Sequence, residues 1–271
     1  MNKKMLTNNI YNHNQIAWNK MAKEQSPWSQ PVSSEIIAEA RAGRFNLPLL
    51  PTKIPSGWLP DQVQGMSILC LAASGGQQAP ILAAAGADVV VFDASPEQLA
   101  LDELVAKREC LELKTICGDM RDLSTFSDES FDLIIHPVSN LYVPDINIVW
   151  DECFRVLKYG GRLLSSFYNP VAFVFDRDPY LKEKGITRPC YKLPYSDMKD
   201  LEPDLLEDKK INSIPLVFGH TLNDQIGGQL DAGFIINGFN ESFHPNPRFL
   251  IEEYVPVLIA TCSLKVKSMS L

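Results

Sequence analysis

Short, continuously apolar runs punctuate this chain, and between them apolar residues recur every three or four positions. The runs are Ser67–Ala72, Asp88–Asp93, Leu113–Cys117, Phe131–His136 and Arg162–Phe167. Such runs suit parallel strands covered on both faces. Phe234–Phe239 and Val257–Val266 read as two further strands, the last an antiparallel hairpin partner. The intervening segments predict helices. One runs from about Gln77 to Ala85 with Pro80 in its first turn. Ser95-Pro96-Glu97-Gln98 forms a capping box that opens a second, carrying Leu99, Leu101, Leu104 and Val105. Ile146, Val149, Trp150, Cys153, Phe154 and Leu157 form the stripe of a third, ended by Gly160-Gly161. Thr221 to Asp224 opens a fourth, with Leu222, Ile226 and Leu230 on one face and Gly233 at its end. Strand–helix alternation with short links implies right-handed crossovers and an α/β, doubly wound, mostly parallel sheet.

Two regions depart from this rhythm. Residues 1–60 are rich in Asn, Pro and Trp and read as an irregular N-terminal extension or lid. They hold one helix, from about Ser33 to Ala42. Residues 61–271 then make the main domain. Residues 170–212 interrupt it as a partly helical insertion, either a second lid or a solvated excursion. Its segment Asp197–Lys210 holds six acids and three lysines.

Composition narrows the partners. Of 271 residues, 45% are hydrophobic and 21% charged, as in folded proteins with a substantial core. Twenty-five Lys and Arg against 33 Asp and Glu give a net charge of −8, which disfavours nucleic acid and favours a small-molecule partner. No apolar run approaches the roughly 20 residues of a membrane-spanning helix, and the polar start lacks the apolar stretch of a signal peptide. Six cysteines without a C-x-x-C pair read as reduced thiols in a cytoplasmic protein. The four histidines lack metal-ligand spacing, so no metal is expected. Monomer and homodimer both stay open.

In doubly wound sheets ligands bind at the carboxyl ends of the strands. The chemistry is therefore expected near Ala72–Gly76, Asp93, Asp119 and His136–Asn140. The turn Ala72-Ala73-Ser74-Gly75-Gly76 lets backbone approach a nucleotide cofactor, but it lacks the G-x-G-x-x-G spacing of a dinucleotide site. Asp93, ending the second strand, can accept hydrogen bonds from both ribose hydroxyls, as acids do in NAD and S-adenosylmethionine (SAM) enzymes. Asp119 can hold an adenine amino group and Met120 can pack on the ring. A turn aspartate and a core methionine are the plain alternatives.

With these segments in order, the chain resembles the class I SAM-dependent methyltransferases. The resemblance covers residues 66–168 well and 214–266 moderately. It rests on Ile68–Gly76, Val91–Glu97, Gly118-Asp119-Met120, Phe131–His136 and Arg155–Leu164. It is greatest to bacterial methyltransferase-like proteins of unassigned substrate, which share the Leu69-Cys70-Leu71-Ala72 opening, the two glutamines after the glycines, and an Ala17-Trp18-Asn19 stretch. The first turn departs from the wider family, which has an acid at Cys70 and glycines at Ala72 and Ser74. The missing acid is a usual partner of the cofactor's amino-acid end.

The resemblance implies a Rossmann-like sheet of seven strands with the last pair antiparallel, and SAM as cofactor. Candidate cofactor contacts are Ala72, Ala73, Ser74, Gly75, Gly76, Asp93, Ala94, Ser95, Asp119, Met120, His136 and Pro137. His136 is a candidate general base or a residue lining the cofactor side. Ser139, Asn140 and Tyr142 can orient a polar substrate. Trp18, Tyr168 and His220 are further candidates for the substrate side, and Trp28 for an aromatic wall. The Asn-Pro-Pro-Tyr motif of amino-methylating members is absent, which speaks against an adenine or glutamine-amide acceptor. The expected function is methyl transfer to a small molecule. A non-catalytic SAM-binding protein and a nicotinamide oxidoreductase are the alternatives.

Overall fold

The computed structural model describes residues 3–47, 49, 54–73 and 75–267. In chain order the elements begin with α1 (Lys3–Lys23), α2 (Ser34–Arg41), β1 (Ser67–Leu71), α3 (Gln78–Ala84), β2 (Asp88–Asp93), α4 (Pro96–Glu109), β3 (Lys114–Cys117) and β4 (Phe131–His136). They continue with α5 (Asn147–Val156), β5 (Leu157–Tyr168), α6 (Pro179–Glu183), β6 (Tyr195–Ser196), α7 (Asp197–Asp200), α8 (Pro203–Ile211) and β7 (Phe218–Gly219). The last are a π-helical turn (Asn223–Gly227), α9 (Gly228–Asp231), β8 (Phe234–Ser242) and β9 (Leu258–Lys265).

The seven-stranded sheet has the order β3-β2-β1-β4-β5-β9-β8. β1 to β5 pair in parallel, while β9 is antiparallel to both β5 and β8. This is the sheet expected from the sequence. β1 explains why its run is apolar throughout: Ile68 and Cys70 enter the core on one face, Leu69 and Leu71 that on the other, all fully buried. The strand order reverses between β1 and β4, which opens a crevice at their carboxyl ends.

Four local readings are corrected. Residues 1–60 are not irregular, because α1 fills 21 of them. Its buried stripe runs Ile10, Asn14 and Ala17, with Tyr11 and Trp18 beside it. An Asn-rich sequence of weak helix propensity hides this period, and the helix is held by tertiary contacts instead. The 146–157 helix stops at Val156, and Gly160-Gly161 lie inside β5. Phe131 pairs with Leu157 but Leu133 pairs with Arg162, so residues 158–161 loop out of register. The 221–231 segment does not bury its leucines, since Leu222 and Leu230 are about half exposed. Gln225 of its π-helical turn and Gln229 of α9 face inward instead, both buried. The insertion does not close at residue 212, because β6 pairs with β7 at Phe218-Gly219. Among the described residues no helix is long and apolar enough to cross a membrane.

Candidate active site

A cleft of about 700 Å³, partly open to solvent, lies at the carboxyl ends of β1, β2 and β3. Its walls include Ala72, Phe92, Asp93, Ala94, Asp119, Met120, Ser139 and Tyr142 from the strand ends and the loop after β4. Ile10, Tyr11, Asn14 and Trp18 of α1 form the facing wall.

Asp93 ends β2, where its Oδ1 accepts the Ser95 N–H at 2.8 Å. Burial pushes its carboxyl up to about 6, against the pull of the Ser95 and Ala94 amides. Gly118 follows β3 with its Cα against the Phe92 ring; a Cβ there would stand 2.2 Å from Cζ of Phe92. Glycine at 118 thus leaves room for the Phe92 ring at the cleft. Asp119 makes an Asx turn, accepting the Arg121 N–H at 3.0 Å, and its carboxylate is gripped by the Arg121 guanidinium. It lines the cleft with this cation attached.

α1 is pinned over the cleft by side chains rather than by apolar area alone. Asn14 donates to the carbonyls of Tyr142 and Leu216, at 3.0 and 3.1 Å, and accepts the Leu216 N–H at 2.8 Å. Gln15 donates to the Ala94 carbonyl at 2.7 Å, and Ser95 Oγ donates to Asn19 at 2.6 Å. Trp18 meets the Tyr142 ring edge-on at 5.1 Å. The Tyr11 hydroxyl is pushed up to about 12, first by burial, then by Cys117, Asp119 and Asp93 nearby.

The expected residues divide. Trp18, Ala72, Asp93, Ala94, Asp119, Met120, Ser139 and Tyr142 line the cleft. Ser74 lies outside the described residues. Gly75 and Gly76 are not among the cleft-lining residues and hold φ of +77° and +75°. A Cβ on Gly75 would lie 2.8 Å from Gln98 Oε1, and one on Gly76 2.9 Å from the Leu101 carbonyl, so these glycines seat the turn on α4. Ala73 and Ser95 are buried, and Ser95 caps α4 by accepting the Gln98 N–H at 3.2 Å. Pro137 does not line the cleft; its carbonyl accepts Ser139 Oγ at 2.9 Å.

His136 is fully buried behind the wall, and the expected base role has no nitrogen left for it. Nδ1 meets the Leu71 carbonyl at 3.0 Å and Nε2 meets Asn140 Oδ1 at 2.5 Å, while burial lowers the ring's basicity. Asn140 is buried too, donating to Gln225 at 2.8 Å, and its carbonyl contacts His220 Nε2 at 3.0 Å. Both residues therefore belong to the core side of the wall. Tyr168 stands apart, its hydroxyl accepting from Arg248 at 3.1 Å. Trp28 packs edge-on against His244, away from the cleft.

Sequence reasoning missed Ile10, Tyr11, Asn14, Phe92, Arg121, Val138, Val143 and Pro144 of the cleft wall. A three–four spacing through Asn14 would have found the first three. Among the described residues no group of three or more His, Cys, Asp or Glu is placed to hold a metal ion.

The Bacillus subtilis (strain 168) uncharacterized methyltransferase YbaJ is 43% identical to the chain over 260 residues, covering 96% of the chain and all of YbaJ. The chain belongs to the class I SAM-dependent methyltransferases. Residues 69–165 match the methyltransferase domain model. An S-adenosylmethionine dependent methyltransferase from Mesorhizobium loti shares the fold with a TM-score of 0.59 at 17% identity, over 76% of this chain and 94% of that one. A SAM-dependent methyltransferase from Methanosarcina mazei does so with a TM-score of 0.52 at 17% identity, over 77% and 95%.

Proposed function

We propose that this methyltransferase binds SAM at the carboxyl ends of β1–β3 and methylates a small polar molecule entering beside Tyr142. Asp93 carries this reading. It stands on the cleft wall with Oδ1 held by Ser95 and no hydrogen-bond donor at Oδ2 among the contacts of the described residues. Two ribose hydroxyls fit such a carboxylate. Phe92 and Met120 offer apolar faces to an adenine, and the bare Cα of Gly118 keeps that approach open. Asp119 already accepts from the Arg121 N–H and guanidinium on both oxygens, so it would hold an adenine amino group only by sharing one of those contacts.

When bound, SAM supplies a methyl group activated by the sulfonium. The protein's part is to hold the acceptor in line and to exclude water. α1 closes one side through Tyr11, Asn14 and Trp18. Ser139 and Tyr142 line the acceptor side, and burial keeps the Tyr142 hydroxyl protonated. We assign His136 to positioning the loop after β4, through Asn140, in place of proton transfer. The small acceptor and the absence of a nucleic-acid partner rest on this cleft and on the acidic net charge of −8.

Calorimetry tests the cofactor directly: SAM and S-adenosylhomocysteine should bind and NAD should not. Incubation with methyl-labelled SAM and a metabolite extract should then move label into a small molecule. Binding without transfer would favour the non-catalytic alternative, which the departures at Cys70 and Ala72 keep in view. Tight NAD binding without a response to SAM would sink the proposal.

A further inference from the structure

Asp102 lies on α4, 1% exposed, and neither carboxylate oxygen has a hydrogen-bond partner. Both oxygens are acceptors whichever way the group is turned, so no reassignment of atoms satisfies them. An unpaired buried carboxyl is costly, and most buried polar atoms are paired. Its surroundings offer little relief. Cys70 of β1 and Asp93 are within electrostatic reach, and Glu103 adds a further acid. The favourable neighbours are the backbone N–H groups of Gly76 and, more weakly, of Asp102 itself. One helical turn earlier, Gln98 Oε1 is also buried without a partner, while its Nε2 donates to Ser29 at 2.7 Å. Gly75 sits against Gln98 and Gly76 against Leu101. α4 thus presents two unfilled acceptors, four residues apart, to the underside of the turn that follows β1.

This is the turn whose strand lacks an acid at Cys70. We propose that Asp102 is the positioning carboxylate of that turn: with a cofactor's amino-acid end seated above, it accepts the turn's backbone N–H groups from the α4 side. The acid has moved from strand to helix, where it faces the Gly76 end of the turn. The inference rests on the SAM reading above.

Wild type, Asp102→Asn, Asp102→Ala and the double variant Cys70→Asp/Asp102→Ala are compared for S-adenosylhomocysteine affinity, for melting temperature without cofactor, and for amide hydrogen exchange at Gly75 and Gly76. Both single variants should bind about tenfold or more weakly, the scale of one hydrogen bond to a charged group. They should also melt higher without cofactor, and the cofactor should no longer slow exchange at the two glycines. Returning an acid to the strand in the double variant should recover most of the affinity. Wild-type affinity in Asp102→Ala overturns the inference. So does a loss of affinity that comes with a lower melting temperature and no recovery in the double variant, the signature of a merely structural residue. If Asp102→Ala fails to fold, the isosteric Asp102→Asn decides by the same affinity criterion. Wild type that binds neither SAM nor S-adenosylhomocysteine fails the SAM reading itself, and the inference with it.

Discussion

Two groups of polar residues end strands on either side of β1, and the fold treats them differently. On the β2 side Asp93 reaches the cleft with Oδ1 held by Ser95 and, among the described residues, no side-chain donor on its carboxylate. On the β4 side His136 reaches a buried network in which its ring meets Leu71 and Asn140, Asn140 donates to Gln225, and Gln229 accepts from Thr261 and Ser263. Both ends look alike in sequence: a polar residue closing an apolar run. What separates them is saturation. A side chain whose hydrogen-bonding capacity is met inside the core holds structure, and one with capacity left over at a cleft is available to a ligand.

The contrast can be broken or sharpened by experiment. His136→Ala should cost about 3 kcal/mol of stability, since it leaves a cavity beside Trp150 and strands buried acceptors. Chemical denaturation measures this, and an unchanged midpoint with lost turnover would restore the base role. Asp93→Ala should do the opposite: SAM affinity should fall by about 1.5–3 kcal/mol in calorimetry while the fold holds. Because burial holds the Asp93 carboxyl up at about 6, its charge costs the folded state stability that grows as pH rises from about 4 to 6. Removing it should therefore leave the melting temperature at pH 8 equal or higher.

The same shift sets a pH dependence. The ribose hydroxyls want the carboxylate, so SAM affinity should fall about tenfold between pH 7 and pH 5, as the group takes up its proton. A flat profile would mean the cofactor does not use Asp93. The smallest effect concerns the turn. Ala72 holds φ at +46°, the left-handed region that costs a residue with a Cβ about 1 kcal/mol. Ala72→Gly should raise stability by about 0.5–1 kcal/mol, offset in part by the freer unfolded chain. A loss of stability would mean the Ala72 methyl packs better than its backbone angle suggests.

Much of this was legible in the sequence. The apolar runs gave the strands of the sheet, and Asp93 and Asp119 at their ends marked the cleft. α1 was not legible, because its buried stripe passes through Asn14 and its contacts are to Tyr142, Leu216 and Ala94, far away in the chain. Local propensity carries no trace of such partners. Nor was the exposure of Leu222 and Leu230, whose helical spacing put them on one face, while the π-helical turn and α9 bury Gln225 and Gln229.

Periodicity and strand-end chemistry by themselves determined the sheet and placed Asp93 and Asp119 at the strand ends that line the cleft. The tertiary structure alone decided which polar side chains stay available there. Whether His136, Asn140, Asp93 or Asp102 has an unmet hydrogen bond depends on neighbours brought together across the sheet, and a one-dimensional pattern does not record how many of a group's partners have arrived.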